Sequence, residues 1–365
     1  MCSQTDCERV DRDTPQLIVR DPIRCPLLSE LPPAPPGKTG WPWTQESPRL
    51  PKEGPNDLRW PKISIVTPSY NQGEYLEEMI RSVLLQGYPN IEFIVVDGGS
   101  TDGLLGLIRK YEKYISCWVS EKDRGQSHAI NKGLAVCTGE IFNWLNSDDV
   151  LCPGAFEAIG RAWINNPGHI IAGVVEDFMA DGTRRTFVPK GIVRENFIAC
   201  YCEGRKVDFV WHQPGIYVPL EAIRSVGGVR EEAHFTMDRF LMIDLLMNCK
   251  VTYIPEVLAK FRRHNQSKSE SSLAHAFGLE FIERIKEMQA LPWDISRKKL
   301  DSYHVHLLVR GGIAQALLTR NFAYTRRRLS EAFSISRWKT LVELGIVPGA
   351  IFKRFCRMLR RRMSH

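Results

Sequence analysis

The sequence predicts an α/β protein with a mostly parallel central sheet flanked by helices, followed by a helical C-terminal extension. From Lys62 onward, short apolar β-branched runs alternate with segments of helical periodicity, and that alternation is the mark of βαβ units. After about residue 266 the strand-like runs stop, and apolar residues recur at helical spacing among basic ones.

Residues 1–60 are proline-rich and show neither period, so they read as an extended arm. Trp41, Trp43 and Trp60 are placed to pin part of it onto the core. Ile63 to Thr67 is a buried-strand signature ending at Pro68, and Leu76, Met79, Ile80, Val83 and Leu84 predict the helix after it. Ile91 to Val96 is a second strand, closed by Asp97 and the turn Gly98-Gly99-Ser100; Leu104, Leu107, Ile108 and Tyr111 mark the next helix. Cys117 to Val119 is a short strand, Ala129, Ile130, Leu134 and Val136 sit on a helix, and Ile141 to Leu145 is a fourth strand. Ligands of such sheets bind beyond the carboxyl ends of the strands. Those ends are Pro68-Ser69-Tyr70-Asn71, Asp97, Glu121 to Asp123, and Asn146 to Asp149, so four polar clusters are expected on one edge.

The 365 residues are expected to divide into an arm (1–60), an α/β domain (61–266) and a basic helical extension (267–365). The net charge is +7, with much of the excess in Arg326 to Arg328 and from Lys353 to Arg362. No nucleic-acid module accompanies it, so nucleic acid is not an expected partner. Ile351 to Met363 interleaves apolar residues with arginines and would suit peripheral contact with an anionic membrane, or a helix packed with a solvated basic face. Ten cysteines without a C-x-x-C pair fit a reducing compartment. With no apolar run of bilayer length and a polar stretch from Met1 to Arg12, the expected location is cytoplasmic, at most peripheral on the inner membrane face.

Asn146-Ser147-Asp148-Asp149 carries the chemistry most plainly. Adjacent carboxylates at a strand end repel unless a cation or a donor network lies between them, and such oxygens suit Mg²⁺ or Mn²⁺ bridging to a diphosphate. A helix N-cap would use the same residues. No Gly-x-Gly-x-x-Gly follows a strand, which argues against a dehydrogenase.

The order of motifs resembles a family 2 glycosyltransferase of the GT-A fold, an inverting class that uses nucleotide-activated sugars in cell-envelope and exopolysaccharide assembly. The likeness rests on SIVTPSYNQGEYL from Ser64, VVDGGSTDG from Val95, SEKDRGQSHAINKG from Ser120 and GEIFNWLNSDD from Gly139. It continues through HQPGIY from His212, VGGVREEAHFTMD from Val226 and FRRHNQSKS from Phe261. The resemblance implies that Thr67, Pro68, Tyr70 and Asn71 receive the nucleoside, that Asp97 accepts from the base, and that Asp123 and Gln126 belong to a loop over ribose and sugar. It implies Asp149 as the more direct metal ligand, Asp148 nearer the ribose, and His264 as a further metal or diphosphate contact. Asp238 matches the catalytic base; Trp211, His212 and Gln213 lie where the acceptor would enter. Two departures stand out: Asn146 and Phe240 occupy positions where relatives often carry acids. The implied donor is a UDP- or dTDP-sugar and the implied acceptor a saccharide or a lipid-linked one. A non-catalytic nucleotide-sugar-binding scaffold of the same fold is the alternative, and a nucleotidyltransferase lacks its triphosphate-binding glycine loop here.

Overall fold

The computed structural model describes residues 24–179, 182–197 and 208–264, and beyond these a set of positions between Phe277 and Gly345. The expected alternation is present. In chain order come β1 (Ile63–Ser69), α1 (Gly73–Leu84), β2 (Ile91–Asp97), α2 (Leu104–Tyr111), β3 (Cys117–Ser120), α3 (Gln126–Val136) and β4 (Ile141–Trp144). β1 and β2 are buried along their whole length, as continuous apolar β-branched runs inside a two-sided sheet must be. Each predicted strand matches an observed one, with ends moved by a residue or two.

The second half is less regular. β5 (Val150–Leu151), α4 (Ala155–Asn165), β6 (Ile170–Met179), β7 (Arg184–Phe187), β8 (Ile216–Pro219), α5 (Leu220–Ser225), α6 (Met237–Leu245) and the long β9 (Val251–Arg263) follow. The strands form one sheet in the order β3-β2-β1-β4-β8-β6-β9-β5, with β7 on β6. β3, β2, β1 and β4 run parallel; β8 joins β4 antiparallel, and β6 pairs β9 in parallel over most of its length. The parallel half presents its carboxyl ends on one edge, while β6 and β9 carry Asp177 and Arg262 to that same edge.

Two apolar layers cover the sheet. One packs α1, α2 and α4 against β1 and β2 through Leu76, Met79, Ile80, Ile108 and Phe156. The other packs α3 and α6 against the opposite face through Ile130, Leu134, Phe240 and Leu241. Beyond the sheet, α7 (Phe322–Ile335) and α8 (Arg337–Glu343) are helical as the extension predicts, and Val305, Leu308, Val309 and Ala332 close a small core of their own. The amphipathic stretch Ile351 to Met363 lies outside the described residues. Among the described residues no helix is long and apolar enough to cross a membrane.

From residue 24 the arm is packed rather than free. Trp60 is fully buried against Tyr88, with ring centroids 5.4 Å apart, and Trp41 Nε1 donates to the Leu151 carbonyl at 2.7 Å. Arg81 on α1 fastens it. Its buried guanidinium donates to the carbonyls of Pro42 (3.0 Å), Pro32 (2.8 Å) and Trp43 (3.0 Å), and to the Tyr111 hydroxyl (3.1 Å). Prolines cannot donate from their own nitrogens, so a segment rich in them offers carbonyls, and a five-donor guanidinium suits that surface. Because removing a buried charged partner leaves several acceptors unsatisfied, Arg81→Met is expected to lower the free energy of unfolding by about 3 kcal/mol. Urea denaturation checks this, and a loss below about 0.5 kcal/mol, the scale of an ordinary surface change, would show that Arg81 does not hold the arm.

Candidate active site

A cavity of about 800 Å³ opens at the carboxyl ends of the strands. Pro68 and Tyr70 from the end of β1, Asp123 and Gln126 from the entry to α3, and Asn146 and Asp148 after β4 line one part of it. Asp177 and Arg185 of the β6–β7 pair, the segment Trp211-His212-Gln213, and Asp238 at the start of α6 line the rest. Of the expected site residues, Thr67, Asn71, Asp97, Asp149 and His264 are not on the lining, and each has a physical reason.

The turn after β4 is held from several sides. The Ser147 hydroxyl lies 2.8 Å from Gln72 Oε1 and 3.0 Å from Ser69 Oγ, and Gln126 Nε2 donates to Asn146 Oδ1 at 2.8 Å. Arg262 on β9 donates its backbone N–H to Asp149 Oδ1 (3.4 Å), its Nε to the Asp148 carbonyl (3.1 Å) and its Nη2 to Glu78 (2.8 Å). The two acids differ in their surroundings. Asp149 is wholly buried, accepting from Asn146 and Arg262, while Asp148 faces the cavity. Burial, and then the adjacent Asp148 carboxylate, raise the Asp149 pKa well above the usual carboxylate range. His264 Nε2 lies 2.9 Å from Asp148 Oδ2, with its ring 4.9 Å from that of Tyr75, so it backs Asp148 instead of lining the cavity. Asn146, where relatives often have an acid, serves as an amide link between Gln126 and Asp149.

The side expected to receive the nucleoside is likewise built in two layers. Thr67 is fully buried and its hydroxyl points at Met79 Sδ (3.6 Å), so it belongs to the core beneath α1. Asp97 is fully buried too, and accepts from the Ser100 amide, the Ser100 hydroxyl and the Ser120 hydroxyl. The Asn71 amide donates to the same Ser100 hydroxyl, and Asn71 Oδ1 accepts from the Thr101 amide. Asp97 and Asn71 therefore tie the β1 and β2 loops together, and Tyr70, 63% exposed, stands at the cavity wall. Asp123 enters the cavity because Gly98 lets it approach: a Cβ at Gly98 would meet Asp123 Oδ2 at 2.8 Å.

On the other side, Asp238 is half-buried on the first turn of α6 and accepts the Arg239 amide at 2.8 Å. Burial raises its pKa, with Arg239 and His212 pulling the other way. Gln213 is fixed by bonds to Asn143 Oδ1 and the Trp144 carbonyl, both 2.9 Å, and His212 Nε2 lies 3.4 Å from Asp177 Oδ1. No three His, Cys, Asp or Glu side chains among the described residues cluster closely enough to hold a metal alone.

The profile of Glycosyl transferase family 2 matches residues 64–207. That segment of the chain is similar to this family. It is 26% identical over 229 residues to an uncharacterized glycosyltransferase of Rickettsia felis, a match spanning 61% of this chain and 38% of the relative. It is 40% identical over 92 residues to the "Putative teichuronic acid biosynthesis glycosyltransferase TuaG" of Bacillus subtilis, spanning 24% and 36%. The chain thus spans less than two fifths of either relative's length. Among solved structures, S. aureus TarS 1–349 in complex with UDP-GlcNAc superposes with a TM-score of 0.52 at 16% identity, covering 75% of this chain and 81% of that one. The fold is GT-A.

One residue escaped the sequence reading. Glu280, beyond the α/β domain, receives the backbone amides of His234 (3.0 Å), Phe235 (2.8 Å) and Thr236 (2.9 Å) and the Thr236 hydroxyl (2.7 Å). These are the amides just before α6, where a carboxylate satisfies free N–H groups and meets the positive end of the helix dipole. Phe281 stacks on Phe240 at 5.1 Å and Phe277 meets Phe235 at 5.1 Å, so Phe277, Glu280 and Phe281 bring one helical face onto the loop carrying Asp238. Only their i, i+3, i+4 spacing hinted at it. Charge-assisted bonds of this kind contribute about 1.5–3 kcal/mol each. Glu280→Gln is therefore expected to speed amide exchange at residues 234–236 by about tenfold or more, with α1 and β1 unchanged. Unaltered exchange there would remove Glu280 from this role.

Proposed function

We propose that the chain transfers a sugar from a nucleoside diphosphate sugar to an acceptor hydroxyl with inversion, Asp238 serving as general base, in the assembly of a polysaccharide or glycolipid. The observation that carries this reading is a single cavity with Asp148 in one part and Asp238 in another. The family match over residues 64–207 and the GT-A fold support it.

The donor's diphosphate belongs beside Asp148 and His264. A carboxylate oxygen and an imidazole nitrogen 2.9 Å apart fit Mg²⁺ or Mn²⁺, which ordinarily take one or two protein groups and complete their shell with phosphate oxygens and water. Such an ion, when bound, neutralises charge building on the leaving diphosphate. On this reading Asp148 is the direct ligand, and Asp149 acts behind it by fixing the turn. Tyr70 offers an exposed ring beside the base. A uridine or thymidine base is favoured, because its imide N–H matches the carboxylates of this loop, Asp123 on the lining and Asp97 behind it.

Inversion requires attack from the face opposite the diphosphate. The Asp238 carboxylate takes the acceptor hydroxyl's proton as that oxygen bonds to the anomeric carbon. The bond from that carbon to the diphosphate breaks in the same event, and its electron pair leaves with the diphosphate. Raising the Asp238 pKa improves it as a base, provided it stays ionised at the working pH. Trp211, His212 and Gln213 line the cavity beside it and are assigned to the acceptor.

The test is a panel of nucleotide sugars with Mg²⁺ or Mn²⁺ and saccharide or lipid-linked acceptors, scored by nucleoside diphosphate release and product mass. Asp238→Asn is expected to lower kcat by ~10²–10⁴ while nucleotide binding persists, and Asp148→Ala to weaken both. Full turnover by Asp238→Asn would reject the choice of base. A base is lost when protonated, so kcat/KM falls as pH drops through the raised Asp238 pKa. The acid limb of the pH profile should accordingly lie above the ordinary aspartate value of about 3.9. A limb at or below that value would mean that Asp238 does not govern it.

A further inference from the structure

We propose that Asp177 is a specificity residue on the acceptor side of the cavity. Its Oδ1 accepts a hydrogen bond from a neutral hydroxyl of the acceptor saccharide, other than the hydroxyl that receives the sugar. The inference rests on the transferase reading above and adds the group by which the acceptor is told from its analogues. It is carried by one buried carboxylate on the cavity wall with an oxygen left unbonded.

Asp177 lies on β6, in register with Arg185 on β7 and Phe261 on β9, and it lines the cavity. It is only 4% exposed. A carboxylate so placed has lost most of its water and needs donors in return. Its Oδ2 lies 3.5 Å from Arg263 Nη1, and His212 Nε2 stands 3.4 Å from Oδ1. Neither contact is a close bond, and Oδ1 has no hydrogen-bond partner among the described residues. Arg263 has further interactions besides this one, so it is not held in reserve for Oδ1.

A simpler account makes Asp177 the counter-charge of the basic side chains around it. Carboxylates that serve in that way elsewhere in this fold are bonded closely: Glu78 to Arg262 and Asp244 to Arg230, both at 2.8 Å. Asp177 has basic neighbours without such bonds, although its side chain is more deeply buried than either of those. An ionised carboxylate can only accept, so the partner that completes Oδ1 is a donor. Arg263 beside it and Arg185 in register disfavour an ammonium there, since like charges repel, and a neutral donor is what remains.

The surroundings make that donor a sugar hydroxyl. The His212 ring lies 5.1 Å from Phe187 and 4.5 Å from Phe261, and these rings line the cavity together. Phe261 is directly opposite Asp177 in the sheet, so an aromatic surface and an accepting oxygen meet at one place. A pyranose offers the matching pair, an apolar C–H face for the rings and hydroxyls at its rim, and a few fixed polar groups in a largely apolar wall are what orient such a ligand. Asp238 lines the same cavity, so a ring seated on this wall by one hydroxyl leaves another for the base.

The experiment uses the full chain with excess UDP. Methyl β-glucoside, methyl β-galactoside and methyl N-acetyl-β-glucosaminide are each titrated beside derivatives lacking a single ring hydroxyl, and binding is followed by ligand-observed NMR. In at least one series, loss of one hydroxyl is expected to weaken binding about tenfold or more. Each ratio is taken within one protein, so a lowered folded fraction cancels. Asp177→Ala should abolish the discrimination. A neutral amide oxygen accepts roughly half as strongly as a carboxylate, so Asp177→Asn should cut a tenfold ratio to about threefold. Indifference to every missing hydroxyl, absence of glycoside binding, or a ratio undiminished in Asp177→Asn overturns the inference, the last even where the alanine variant does not fold. Affinities for UDP and UDP-glucose on the same samples separate the two sugars: a loss in Asp177→Asn confined to UDP-glucose assigns the oxygen to the donor and overturns the acceptor placement. UDP binding without hydroxyl discrimination defeats this inference alone, whereas discrimination without any nucleotide binding defeats the transferase reading instead.

Discussion

Arg262 is the tie on which the site depends. Two acidic residues in sequence after a buried strand would repel and splay the turn, and β9 answers with one residue that reaches both. Its backbone N–H meets Asp149, its Nε meets the Asp148 carbonyl, and its Nη2 anchors on Glu78 of α1. The guanidinium also lies over Tyr75 and Phe178, 5.0 and 4.5 Å from the ring centres. Two residues on, His264 supports the Asp148 carboxylate itself. A strand that joins the sheet from its far end therefore sets the geometry of a turn made more than 110 residues earlier in the chain.

The same logic recurs around the cavity. Residues on its surface are held by polar residues one layer back: Tyr70 by the Asp97–Ser100–Asn71 relay, Asp148 by Arg262 and His264, Asp238 by the amides that Glu280 caps. Groups in that rear layer bond to the residues in front of them, so a large part of what they supply is position and electrostatics.

This layering explains what could be read in advance. Strands β1, β2 and β4 were legible because two-sided burial demands unbroken apolar runs, and β3, a half-buried edge strand, by its place in the alternation. The four polar clusters were legible because they terminate those runs. Which member of each cluster faces the cavity was not, since that depends on partners from distant segments. Asp149 yields its place to Asp148 because Asn146 and the Arg262 amide claim it, and Thr67 turns inward toward Met79. The packed arm was half legible: its tryptophans announced burial, but nothing local marked Arg81 as the cation that gathers its carbonyls. β6 to β9 are mixed in direction, and β7 and β9 are largely exposed or half exposed, so the pattern of the first half does not continue through them.

Composition draws a boundary near residue 266, where strands give way to basic helices. The Glu280 cap crosses it. A chain cut at that line would keep every residue assigned to the donor and to proton transfer, yet the first turn of α6 would lose the carboxylate that seals its amides and two aromatic contacts beneath it. A fragment ending near residue 266 would therefore lack part of what fixes the loop carrying Asp238, and one drawn to the family match at residues 64–207 would lack Asp238 itself.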